Sequence, residues 1–197
     1  MVDSSFNGGF TLYIRYKIRT MKQLLSFVLL SAVFFTSFQA CAQQEDKSKR
    51  PSPPAKVSQA ISSGAMVTID YSQPSLKGRT IGKDVEPMDG KVWRAGANEA
   101  TVFEVNKDVK VEGKPLPAGK YALFMIANPD AWTIIFNKKW DTFGAFDYDK
   151  NKGQDALQVT VKPMTGGSPS EKLTYQIAKD GTVTLLWGDR KVAFHVS

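Results

Sequence analysis

The sequence predicts an all-β domain, an antiparallel β-sandwich of about eight or nine short strands. Three observations predict it. Beyond residue 58 the apolar residues recur with period two, turns rich in glycine and proline separate these runs, and none of that region sustains a helical period.

The strand-like runs follow in order. In AMVTIDYS, Val67, Ile69 and Tyr71 share one face while Thr68, Asp70 and Ser72 take the other. In ATVFEV, Thr101, Phe103 and Val105 oppose Val102 and Glu104, and in LQVTV, Leu157, Val159 and Val161 oppose Gln158 and Thr160. LTYQI and TVTLLW alternate in the same way. KYALFMIA and WTIIF are apolar on both faces, which suits central strands covered on two sides. Glu112-Gly113, Ala118-Gly119, Asp180-Gly181 and Gly188-Asp189 separate neighbouring runs, and residues that tolerate positive φ are what tight hairpins require.

The N-terminal part is organised differently. Residues 1–20 carry no hydrophobic period, and Met21-Lys22 is a normal signal opening, so the upstream part reads as a misassigned start. Residues 21–42 read as an export signal, with Lys22 ahead of an apolar run and Cys41, the sole cysteine, behind it. The run is short for a bilayer span of roughly 20 residues. Two processing routes compete for the same site: cleavage after Ala40-Cys41-Ala42, or lipidation of Cys41, which follows a small residue as in a bacterial lipobox. Residues 43–58, charged and rich in proline, read as a tether, and residues 59–197 as a single β domain. The expected address is the periplasm or the outer membrane, with membrane attachment only through a lipid on Cys41.

Charge and composition narrow the function classes. The formal net charge is +7, and removing residues 1–41 discards Arg15, Lys17, Arg19, Lys22 and Asp3, leaving +4. That is mild and makes no case for nucleic acid. Without Cys41 no disulfide is available, so core burial must hold the domain. His195 is the one histidine and sits on the outward face of the last strand pattern, opposite Val192, Phe194 and Val196. Zinc sites and Cys-His pairs therefore lack parts, and no cofactor or metal is expected.

The segment 71–101, YSQPSLKGRTIGKDVEPMDGKVWRAGANEAT, shows little strand pattern, and long structured loops of this kind tend to carry function. Its candidate ligand-binding residues are Tyr71, Lys77, Arg79, Trp93, Arg94, Asn98 and Glu99. Arg94 offers a planar fork for a carboxylate or phosphate, Trp93 a stacking face, and Asn98 with Glu99 a donor, an acceptor and a charge. A purely structural reading uses the same parts: Arg94 paired with Glu99, Asn98 and Gly96 serving the loop backbone, and Trp93 in the core.

Other signals are thinner. Lys77-Gly78-Arg79 with Gly82 lacks P-loop spacing and reads as a glycine turn. The aromatic stretch holding Trp132, Trp140, Phe143, Phe146 and Tyr148 offers stacking platforms for a glycan, with Trp132 assigned to the core. Asp147-x-Asp149-x-Asn151 alternates oxygen ligands, but its glycine falls late and no acid closes the loop, so a solvated turn is preferred to calcium.

Four stretches, Pro51-Ser52-Pro53-Pro54-Ala55, YSQPSLKGRTIG, GKVWRAGANEATVFE and LPAGKYALF, closely resemble a family of secreted bacterial proteins, domain-of-unknown-function family 2911. The resemblance runs from Arg50 to Val196. It implies secretion and a single domain, and supplies no activity or catalytic residue.

The expected function is a non-catalytic exported β domain whose 71–101 loop binds a small polar ligand, a glycan or an envelope protein. The alternatives are a hydrolase using loop carboxylates, Glu99 above all, and a purely structural envelope protein.

Overall fold

A computed structural model describes residues 46–164 and 167–197. The export signal, Cys41 and the proposed start at Met21 lie outside the described residues, and among those described no helix is long and apolar enough to cross a membrane.

The predicted antiparallel sandwich is what forms. Strands β1 (Pro54–Ala60), β2 (Met66–Ser72), β4 (Thr101–Val105), β7 (Gly119–Ala127), β8 (Trp132–Asn137) and β9 (Asp155–Val161) lie side by side in that order, and the short β3 (Val92–Trp93) joins the edge of β7 beyond β4. The second sheet runs β10 (Pro163–Met164), β13 (Arg190–His195), β12 (Thr182–Gly188) and β11 (Ser170–Ile177). A hairpin of β5 (Val109–Val111) and β6 (Lys114–Leu116) turns at Glu112-Gly113, both at positive φ as that two-residue turn demands. The strands beyond the expected number are the short β3, β5, β6 and β10, too brief to show an alternation.

Period-two burial builds the core. Val67, Ile69 and Tyr71 point inward from β2, and Phe103 and Val105 from β4, to meet Val183, Leu185 and Phe194 of the second sheet. Phe136 stands at its centre, edge-on to Phe103 at 5.0 Å and to Phe194 at 5.8 Å between ring centroids. Tyr71 meets Tyr175 edge-on across the sheets at 4.9 Å. Such pairs add about 0.5–1.5 kcal/mol beyond the area they bury.

The strands apolar on both faces are covered on both. Ala122, Phe124 and Ile135 point away from the main core into a small second cluster with Ala100 and Tyr148, the first residue of the one-turn helix α1 (Tyr148–Asn151). Burial, then the Asp155 carboxylate that accepts a hydrogen bond from its hydroxyl at 2.7 Å, raises the pKa of Tyr148 above the ordinary tyrosine range.

The proposed tether is corrected by the fold. Residues 54–58 belong to β1, paired in register from Pro54↔Ser72 to Ala60↔Met66, with Ala55 and Val57 packed on the core. Proline is tolerated there because Pro54 is the first residue of an edge strand. Ahead of it, Lys47–Lys49 forms a 3-10 turn capped by the Asp46 side chain.

Candidate functional site

The segment 71–101 leaves β2 and is pinned to both sheets before it reaches β4. The Leu76 amide donates to the Glu171 carbonyl and the Leu173 amide to that of Pro74, which lays the start of the segment along β11. Trp187, at the end of β12, donates its indole proton to the Glu86 carbonyl at 2.8 Å. The segment then joins β7 through Val92↔Ile126 and Trp93↔Met125.

Residues 94–100 form a tight loop between β3 and β4, with Ala95 and Asn98 at positive φ. Neighbouring donors satisfy its carbonyls: the Thr101 hydroxyl and the Tyr175 hydroxyl both donate to Ala95 O, at 3.0 and 2.8 Å, and Trp93 Nε1 donates to Gly96 O. Burial first, and the nearby Tyr71, raise the pKa of Tyr175, so its hydroxyl stays a donor. These contacts fix the loop backbone from inside the core.

Between this loop, the 79–88 turns and the end of β12 lies a polar cleft of about 370 Å³. That is within the range of about 300–1,000 Å³ typical of small-molecule sites. Arg79, Trp93, Arg94 and Asn98, four of the residues singled out in the sequence, line it. Asp84, Glu86 and Trp187 line it as well and carried no such signal; the only hint was the polar, proline-containing stretch around Glu86.

The expected pairing of Arg94 with Glu99 is not made. Arg94 Nη1 donates to Glu86 Oε2 at 2.7 Å, and Arg94 Nε is buried with no hydrogen-bond partner among the described residues. Glu99 faces the N-terminal segment, where Arg50 Nη1 donates to both its oxygens at 3.0 Å and Lys47 Nζ lies at 2.8 Å. Burial opposes ionisation of Glu99, but hydrogen bonds from Lys47, its own backbone and Arg50 prevail and hold its pKa at about 2. With Tyr71, Glu99 lines a separate, smaller hollow of about 180 Å³.

The remaining candidates divide between support and surface. Trp93 is fully buried, so its ring fills core and presents no open face for stacking. Asn98 donates to the Ser52 carbonyl at 3.0 Å, tying the chain ahead of β1 to the cleft wall. Arg79 spends Nε on Leu76 O and Nη2 on Ser75 O, which orients its guanidinium on the cleft rim. Lys77 lines neither hollow; it is exposed in a turn at positive φ and its amide donates to Glu171.

In the aromatic stretch, Trp132 and Tyr148 are buried, whereas Trp140, Phe143 and Phe146 are exposed. Asp155 accepts hydrogen bonds from Tyr148, Asn137 and Gln158, so it is committed to structure. No group of three or more His, Cys, Asp or Glu residues is placed to hold a metal ion among the described residues. His195 is exposed on β13, as its position in the alternation implied.

Fold and site together define a β-sandwich protein with a polar cleft built by one long inter-strand segment. The chain belongs to the family described as "Protein of unknown function (DUF2911)", whose model matches residues 52–196. No curated protein and no solved structure is found to match it.

Proposed function

We propose that this is an exported, non-catalytic binding protein whose 71–101 segment forms a receptor site for a small polar ligand. The observation that carries the reading is the cleft with Arg94 in its wall, ion-paired to Glu86 and retaining a buried N–H without a partner among the described residues. An unmet buried donor costs about 1–3 kcal/mol, a deficit that a ligand acceptor would relieve after a small shift of the side chain. The hydrolase alternative loses its chosen residue: Glu99 lies outside the cleft, ionised and held by Lys47 and Arg50. Export rests on the signal-like residues 21–42, with Cys41 the candidate lipid attachment point.

A thermal-shift screen of the purified protein against sugars, nucleotides, organic acids, amino acids and divalent metals tests the binding reading. A ligand at about 100 times its Kd stabilises the fold by roughly 2.7 kcal/mol. The expected result is a shift that Arg94→Lys diminishes; no shift across the panel would end the small-ligand reading. Export is tested by cell fractionation, and recovery of the chain from the cytoplasm at full length would overturn it.

A further inference from the structure

The charged groups of the cleft are arranged in a way that selects among polar ligands. Its wall holds two guanidinium groups, Arg79 and Arg94, and two carboxylates, Asp84 and Glu86. Only one ion pair forms among them, Arg94 with Glu86. Arg79 and Asp84 share the cleft, yet neither is in an ion pair with any described residue. Asp84 Oδ2 accepts the Thr80 amide at 2.9 Å, leaving Oδ1 open, and Arg79 keeps Nη1 open after its two bonds to backbone carbonyls. Glu86 likewise has Oε1 unengaged.

Three ligand classes fit this wall poorly. A bare metal cation would face two guanidinium groups, and a polyanion would face two carboxylates, each repelled at short range. A neutral sugar would want an aromatic face, and both tryptophans of the cleft, Trp93 and Trp187, are only 1% exposed. A ligand with one group of each sign meets neither objection.

We propose, building on the binding reading above, that the cleft takes a small zwitterion, an amino acid or a short peptide with free termini. Its carboxylate lies against Arg94 and Arg79, whose planar forks suit it, and its ammonium group lies against Glu86 and Asp84. The cavity of about 370 Å³ has room for such a molecule.

Calorimetric titration of the purified protein with mixed amino acids and with mixed dipeptides tests this. The capped controls are N-acetylated amino acids, which lack the ammonium, and amino-acid amides, which lack the carboxylate. The expected result is binding of the free forms and at least about tenfold weaker binding of both capped forms. Asp84→Asn and Arg79→Gln, at exposed positions, should each weaken binding by about tenfold with the melting temperature unchanged. Equal binding of a capped form, or unaltered affinity in both variants, would overturn the zwitterion. Binding of a neutral sugar or a plain organic acid with none of the amino compounds would overturn it too, while leaving the small-ligand reading in place. Silence of every probe would remove both.

Discussion

Arg94 Nη1 stands 2.7 Å from Glu86 Oε2, while Nε of the same guanidinium is buried without a partner among the described residues. The two side chains are 22% and 39% exposed, so the pair sits at the boundary between core and water. That position decides what losing it does. A fully buried charge stripped of its partner costs about 3–5 kcal/mol, but water can reach Glu86.

Arg94→Ala is therefore expected to cost only about 1 kcal/mol, a fall in melting temperature of about 2–4 °C for a domain of this size. The variant should keep its cooperative transition and lose ligand binding. A collapse of the fold would instead identify the pair as structural scaffolding. A thermal melt with and without ligand reads both.

Glu99 predicts a pH and protease response. Its folded pKa of about 2 lies below its ordinary value of 4.5, so the unfolded chain takes up the proton first as pH falls. The stability it contributes is complete above pH 4.5 and is lost as pH falls from there toward 2. Glu99→Gln should flatten that part of the acid profile and cost no more than about 1 kcal/mol at neutral pH, because the ion pairs are partly exposed. It should also loosen residues 46–50, quickening tryptic cleavage after Lys47 and Lys49; the bond after Arg50 is resistant because Pro51 follows it. Unchanged cleavage would show that contacts other than Glu99 pin the segment, among them Asn98 and the Gln73 amide, which hold the Ser52 and Pro53 carbonyls.

The strands were legible because their signal is local. Ile69 and Val159 alternate with polar neighbours, and a half-buried strand can satisfy that pattern in only one register. The double-sided runs in β7 and β8 announced a second covered face, although nothing local named Tyr148 as its cover. β1 was missed because Pro51, Pro53 and Pro54 argue against a strand in any but an edge position, and edge position is a tertiary fact. In the candidate cleft, Arg94, Asn98 and Arg79 are legible in the sequence as polar residues of the segment, but their partners are not. Ion pairs in an irregular loop follow the path of the chain, and the excursion through residues 79–88 delivers Glu86 to Arg94 while Glu99 turns toward Arg50.

Phe136 tests the core. It is fully buried on β8 between Phe103, Tyr121 and Phe194, with ring centroids 5.0, 6.4 and 5.8 Å away. Phe136→Ala leaves a cavity that two β-sheets cannot close without sliding, so the expected cost is about 3–5 kcal/mol. Denaturant unfolding should show a lower midpoint with the slope unchanged; a loss below about 1.5 kcal/mol would mean that the sheets collapse onto the gap.

Gly96 tests whether the cleft is shaped by the core beneath it. A Cβ at this position would lie 2.7 Å from the Thr101 hydroxyl and 3.3 Å from the Ser72 carbonyl. Backbone φ is not the obstacle, since Gly96 is not among the positive-φ residues; space is. Gly96→Ala must push the Thr101 hydroxyl off Ala95 O or lift the loop, at a cost of about 1–3 kcal/mol. Thr101→Ala removes the obstructing oxygen and is tolerable by itself, because Tyr175 still donates to Ala95 O at 2.8 Å. The double variant should therefore be more stable than the sum of the two single losses, by about 0.5–1.5 kcal/mol in a double-mutant cycle. Strict additivity would show that the clash is relieved through the Ser72 carbonyl and β2 instead, and ligand affinity in Gly96→Ala would then survive.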